Sequence, residues 1–242
     1  MTSRFAARIH LAGAILTVSL LLLSCAAMST PNYSDILTNT SRPEAERALD
    51  AVRKPDEVMA FYGVKQGDKV ADVFAARGYY TAILSQLVGA DGVVYSANQT
   101  ARAELHERVK QGNMANVRII DGPFEKLALP QDGSLNFVII HLDYHEVPPA
   151  ARMPMNRRIY NSLKRGGVYG VVDHSAQEGT GDSVAKTLHR MDKNLVIKEA
   201  TSMGFRLEKE GTMLSRADDT RDFSVTKIRD KSDRFVLKFV KP

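Results

Sequence analysis

The chain has 242 residues, of which 44% are hydrophobic and 25% charged, with a formal net charge of +5. Those values are ordinary for a globular protein. The basic residues are interspersed with acids, as in Arg53-Lys54-Pro55-Asp56-Glu57, with no basic stripe carrying interleaved aromatics, so no nucleic-acid partner is expected. At the N-terminus, Arg4 and Arg8 precede an apolar run from Leu11 to Leu23 that meets Ser24, Cys25, Ala26 and Ala27. A basic start, a short apolar middle and small residues at the end describe a secretory signal. The run is too short to be a comfortable membrane-spanning helix.

Leu22-Leu23-Ser24-Cys25 resembles a bacterial lipobox, in which the cysteine is lipidated and becomes the first residue. The expected organisation is therefore a leader over 1–24, a tether over 25–42 and a single folded domain over 43–242. The implied location is the periplasm, with a lipid anchor at Cys25. Cleavage near Ala26 or Ala27, with Cys25 discarded, is the alternative. Cys25 is the only cysteine, so the folded part has no internal disulfide and must be held by its core.

From Pro43 to Val52 the apolar positions Ala45, Leu49 and Val52 share a helical face, and Pro55 opens a second short helix that closes near Gly63. The stretch Lys69–Asn98 then reads as a strand (Val70 to Phe74), a small-residue turn (Ala75 to Gly78), a helix and a second strand ending at Asn98. That unit presents a helix N-terminus to a nucleotide-like ligand. A charged helix over Ala101–Gln111 follows, then strands over Val117–Ile120 and Leu135–Leu142. The latter is apolar enough to be covered on both faces. A helix over Met155–Leu163 leads through a turn at Lys164–Gly167 to a strand, Val168–Val172, that ends at Asp173-His174. The spacing predicts one helix over Leu188–Met203 and final strands over Phe205–Glu210 and Arg234–Val240. Only a loop joins those last two, so they form an antiparallel hairpin. The alternation implies an α/β fold: a doubly wound, mostly parallel seven-stranded sheet with a C-terminal antiparallel hairpin.

One polar cluster stands out. His141, Asp143, Tyr144, His145 and Glu146 follow one strand, and Asp173 and His174 end the next, at the sheet edge where open α/β folds bind ligands. Histidine can act as a general base near neutral pH. His145 is the preferred base, oriented by Asp143 or Asp173, with His141 beside it. Loop histidines bound to backbone are the plain alternative. His141 and His145, with Asp173 or His174, could supply metal ligands as a third option, but no recognised ligand spacing is present, so no metal is expected. Of Tyr79 and Tyr80, one packs in the core and the other lines a pocket, and His106 and His189 read as solvated surface residues.

The segments ERALDAVRKPDEVMAFYGVKQGDKVADVFAARGYYTAILSQLVG, HLDYHEV, LKRGGVYGVVDHS and DRFVLKFVKP together resemble the class I S-adenosylmethionine-dependent methyltransferases, and more narrowly an exported bacterial group of them. The resemblance implies a Rossmann-like methyltransferase fold, S-adenosylmethionine as cofactor and a small-molecule acceptor. It places Asp72 at the acid that ends the first strand. Phe74, Ala76 and Gly78 fall at the three glycines of the cofactor loop, Asn98 at the acid that binds the ribose, and Asp121 at the acid that binds the adenine amine. Phe74 is expected as a pocket wall or a core residue. Ala76 is expected to be tolerated if its φ stays negative. Asn98 offers one amide acceptor and one donor in place of two carboxylate acceptors. Two functions follow from this pattern: a methyltransferase with a degenerate cofactor loop, or a non-catalytic exported ligand-binding or envelope protein on the same scaffold. The oligomeric state is not legible.

Overall fold

The computed structural model of the chain describes residues 33–228 and 231–242. The leader and Cys25 lie outside the described residues. Four short helices come first: α1 (Tyr33–Thr38), α2 (Glu44–Arg47), α3 (Asp50–Arg53) and α4 (Pro55–Tyr62). Then follow β1 (Lys69–Val73), α5 (Tyr79–Val88), β2 (Val93–Ala97), α6 (Ala103–Arg108), β3 (Val117–Ile119), β4 (Leu135–His141), α7 (Pro149–Ser162) and β5 (Leu163–His174). The chain closes with α8 (Ala185–Leu188), α9 (Lys193–Ser202), β6 (Arg206–Gly211) and β7 (Arg234–Val240).

The strands form one sheet in the order β3-β2-β1-β4-β5-β7-β6. The pairs from β3 to β5 are parallel, and β7 runs antiparallel to both β5 and β6. Chain order reverses direction between β1 and β4, which is the switch point where such sheets bind ligands. Alternate residues of each strand feed opposite faces. Phe137 and Ile139 of β4 join Val58, Met59, Ile83 and Leu84 of α4 and α5, while Val138 and Ile140 join Met155, Ile159, Val196 and Ala200 of α7 and α9. Gly170 of β5 is glycine for a packing reason: a Cβ there would stand 2.6 Å from the Tyr62 ring.

Several boundaries differ from the sequence reading. Residues 33–42 are not a tether. Ile36 is buried in the α4–α5 face, and Arg42, 1% exposed, grips Asp50 through two hydrogen bonds of 2.8 and 2.7 Å. That grip, with the Tyr79 hydroxyl donating to Asp50 at 2.6 Å, accompanies a break of the expected Pro43–Val52 helix into α2 and α3. The Lys164–Gly167 turn is instead the start of a twelve-residue β5, with a register shift where it pairs Leu135 and Phe137. Helix α7 begins earlier than expected, with Pro149 in its first turn, and tolerates Pro154 inside it. The expected Leu188–Met203 helix is two elements. His189 turns left-handed (φ 54°) because Arg190 is drawn into the interior, where it makes two hydrogen bonds to Asp219 and one to the Ser175 carbonyl. Asp192 then caps α9, accepting from the Asn194 amide. The C-terminal strands pair as expected.

Candidate active site

The carboxyl ends of β1, β2 and β3 are tied to one another. In the loop after β1, Phe74 and Ala76 both hold left-handed backbone (φ 65° and 50°), as does Gly78 (φ 91°). The loop therefore keeps the conformation glycine would supply, although two of its three residues carry a Cβ; each such residue costs about 1–2 kcal/mol. The expectation of a negative φ at Ala76 is corrected. What holds the strain is a set of hydrogen bonds from β2. The Ala75 amide donates to the Ala97 carbonyl at 3.1 Å, and the Ala76 amide donates to Asn98 Oδ1 at 2.8 Å. Asn98 Nδ2 donates back to the Ala76 carbonyl at 3.2 Å.

Asn98 is thus a clamp on the loop, with one lone pair and one N–H left over for any ligand. Its own amide donates to Asp121 Oδ1 at 2.8 Å, and Asp121 Oδ2 pairs with His106 Nε2 at 2.7 Å. His106 is therefore a surface residue that also hydrogen-bonds Asp121. Phe74 packs on Phe124 with ring centroids 3.7 Å apart and leans on the core. The space a Cβ on Gly78 would need is filled by Leu105 of α6, 2.7 Å away. The retained glycine serves helix packing at this position.

Asp72, on β1 beneath this loop, is buried. It accepts from the Thr81 hydroxyl at 2.7 Å, and Thr81 is 2.9 Å from the Ser96 hydroxyl. Among the described residues it has no ion pair. Burial pushes its carboxyl up to about 6, against the Thr81 hydrogen bonds.

Beyond the switch point the rim changes character. His145 lies in a 3-10 turn (Tyr144–Glu146) after β4, and both its Nδ1 and its backbone amide reach Asp173 at the end of β5, at 2.8 Å each. Asp173, completely buried, also accepts from the His174 amide. Of the two candidate orienting acids, the structure selects Asp173. Burial alone would pull the His145 imidazole down, but Asp173 and then Glu146 and Asp143 outweigh it and raise it to about 9. Its Nε2 sits 3.2 Å from Glu146 Oε1, and the side chain is 4% exposed. Neither ring nitrogen is open to a substrate, so the expected base role of His145 is not supported by this geometry.

Asp143 is different. Its carboxylate is partly exposed and takes no hydrogen bond among the described residues; burial, then the charge of Asp173, push it up to about 7. Leu142, just before it, holds a left-handed φ of 65°. His141 does not join the His145–Asp173 pair. It packs edge-on to Tyr80 (4.6 Å between centroids), and burial with the charges of Arg53 and Arg234 holds its imidazole well below the usual value. His141 Nε2 and the Tyr80 hydroxyl are both buried with no hydrogen-bond partner among the described residues. His174 donates or accepts at Ser232 Oγ, 2.7 Å away. Of the residues at this edge, the sequence reading left Tyr80 open between core and pocket, read His189 as a solvated surface residue and did not single out Arg53. The paired tyrosines after the glycine turn were the signal for Tyr80. Nothing local marked the other two, which arrive from a preceding helix and a distant turn.

The chain matches the model of the ubiE/COQ5 methyltransferase family over residues 50–196. It is 26% identical over 144 residues to a protein-L-isoaspartate O-methyltransferase of Ignicoccus hospitalis, covering 59% of this chain and 63% of that one. It is 30% identical over 116 residues to a demethylmenaquinone methyltransferase of Geobacillus stearothermophilus, covering 46% of this chain and 47% of the relative. The chain thus spans about half to two thirds of the length of these curated relatives. Its fold matches a SAM-dependent methyltransferase from Aquifex aeolicus with a TM-score of 0.62 at 18% identity, covering 88% of this chain and all of that one.

Proposed function

The chain belongs to the ubiE/COQ5 methyltransferase family, and on that premise we propose that it is an S-adenosylmethionine-dependent methyltransferase acting on a small-molecule acceptor. One observation carries the reading: Asp72 is a buried carboxylate without an ion pair among the described residues, beneath a loop that keeps left-handed backbone at Phe74 and Ala76. A buried unpaired carboxylate favours a cationic ligand, and strained backbone persists where the surrounding structure and function hold it. S-adenosylmethionine carries an ammonium and a sulfonium and supplies an electrophilic methyl. Asp72 is the carboxylate available to its cationic end, and Asn98 and Asp121 keep limited capacity for its nucleoside. Methyl transfer asks the protein for alignment and for removal of one proton. Asp143, partly exposed and without a hydrogen-bond partner among the described residues, is the group that accepts that proton. Tyr80 and His141 keep buried polar atoms unmatched beside this edge.

The second reading, a non-catalytic exported ligand-binding protein, is favoured by a different observation: the loop amides of Ala75 and Ala76 are already bonded to Ala97 and Asn98. Melting the full-length chain with and without S-adenosylhomocysteine separates the two. At about a hundred times the dissociation constant the ligand adds roughly 2.7 kcal/mol, a rise of about 5–10 °C. No rise at millimolar ligand removes the methyltransferase reading. Export and lipidation at Cys25 belong to the same proposal; palmitate labelling of the expressed chain that persists in Cys25→Ser would refute the anchor.

A further inference from the structure

On the far side of His145 from Asp173, three side chains converge that the methyl-donor site does not use. Glu146 Oε1 lies 2.8 Å from His189 Nδ1 and 3.2 Å from His145 Nε2. The three ligand atoms all lie within 4.8 Å of one another. The rings of His145 and His189 are 5.6 Å apart and nearly perpendicular, so they do not stack.

The surroundings fix which atoms point inward. Asp173 accepts from the Nδ1 side of His145, which leaves Nε2 facing the Glu146 oxygen at 3.2 Å. A proton on Nε2 fills that gap in the metal-free chain, and a bound cation would take its place. A carboxylate behind the first imidazole is also the arrangement that orients and strengthens a metal-binding histidine. His189 is held from the other side. Its left-handed turn (φ 54°, ψ 47°) is pinned by the next residue, Arg190, whose guanidinium is buried on Asp219. Glu146 and His189 have side-chain exposures of 48% and 34%, so an ion can enter from solvent.

We propose that His145 Nε2, Glu146 Oε1 and His189 Nδ1 form a site for one divalent transition ion of the zinc type, oriented by Asp173. Two imidazoles and a carboxylate are a donor set that suits such ions. Bonds of about 2.0–2.2 Å in tetrahedral geometry give ligand–ligand edges of roughly 3.3–3.5 Å. Two edges here, 2.8 and 3.2 Å, are close to that length, and the third is within 4.8 Å. Three protein ligands leave the fourth position open, as in sites where a metal holds water or a substrate oxygen. The site stands apart from the methyl-donor reading and survives its failure.

Cobalt titration of the chelator-stripped full-length chain tests this. One equivalent of Co²⁺ should saturate a visible absorption band of four-coordinate intensity, and Zn²⁺ should bleach it. Glu146→Gln and His189→Ala, both at partly exposed positions, should each abolish the band while leaving the metal-free melting temperature nearly unchanged. Asp173→Asn should weaken binding by about 10–100-fold. His106→Ala, which removes the other histidine–carboxylate pair of this rim, should leave the band intact. Binding that fails to saturate at one ion per chain, or that survives both Glu146→Gln and His189→Ala, overturns the proposal and leaves a proton-held triad.

Discussion

The rim of the sheet has two halves that solve the same problem differently. Over β1, β2 and β3, nearly every polar group has found another. Asn98 closes both sides of Ala76, Asp121 bridges Asn98 to His106, and Phe74 lies on Phe124. Over β4 and β5 the groups are as buried but not as matched. Among the described residues the partly exposed Asp143 carboxylate takes no hydrogen bond, His141 Nε2 and the nearby Tyr80 hydroxyl are orphaned, and two imidazoles meet one carboxylate oxygen. A buried polar group without a partner costs about 1–3 kcal/mol. The first half is tied into a loop of fixed shape, and the second half keeps polar atoms unmatched.

This contrast can be broken by substitution. The largest expected effect is at Asp173, which anchors the open half. Asp173→Ala leaves the His145 imidazolium buried beside no carboxylate at Nδ1 and should lower unfolding stability by about 3–5 kcal/mol in urea titrations. A loss below 1 kcal/mol would mean that the open half is not organised around this acid.

Asp72 comes next, through pH. Its folded carboxyl titrates at about 6 against an ordinary value of 3.8, so its protonated form is favoured by folding. The full stability is present below the unfolded value and is lost as pH rises through 6. Asp72→Asn should therefore gain on the native chain between pH 4 and pH 8, by on the order of 3 kcal/mol at the upper end. A difference that stays constant with pH would show that a cation already neutralises Asp72 in the absence of ligand.

Asn98→Ala removes both hydrogen bonds of the clamp and should cost about 1–3 kcal/mol. It should also weaken S-adenosylhomocysteine binding in calorimetry. Tighter binding in that variant would invert the comparison, because it would mean that the clamp blocks the nucleoside and does not support its loop. The smallest effect is expected at Ala76. Ala76→Gly relieves left-handed strain at the expense of chain entropy and should stabilise by about 0.5–1 kcal/mol in thermal melts. Destabilisation there would show that the Ala76 methyl makes a contact that outweighs its φ.

Much of the fold was legible because it depends on local pattern. The apolar runs at Val70–Phe74 and Leu135–Leu142, the breaker at Gly78 and the loop-only connection before Arg234 mark strands, turn and hairpin through periodicity and chain length. The errors fall where a distant partner overrules the local pattern. The Leu188–Met203 periodicity is helical, but burial of Arg190 on Asp219 turns the chain at His189 and sends that imidazole to Glu146. Ala76 reads as a residue that avoids positive φ, but Asn98, twenty-two positions later, holds it there.

The sequence by itself determined which elements form, their order and the edge where polar residues gather, because helix and strand periods and turn residues act over a few positions. Only the tertiary structure decided what each polar group at that edge is free to do. A side chain becomes a clamp, a base or a ligand according to which of its lone pairs and protons are already taken, and the residues that take them come from strands and turns far along the chain.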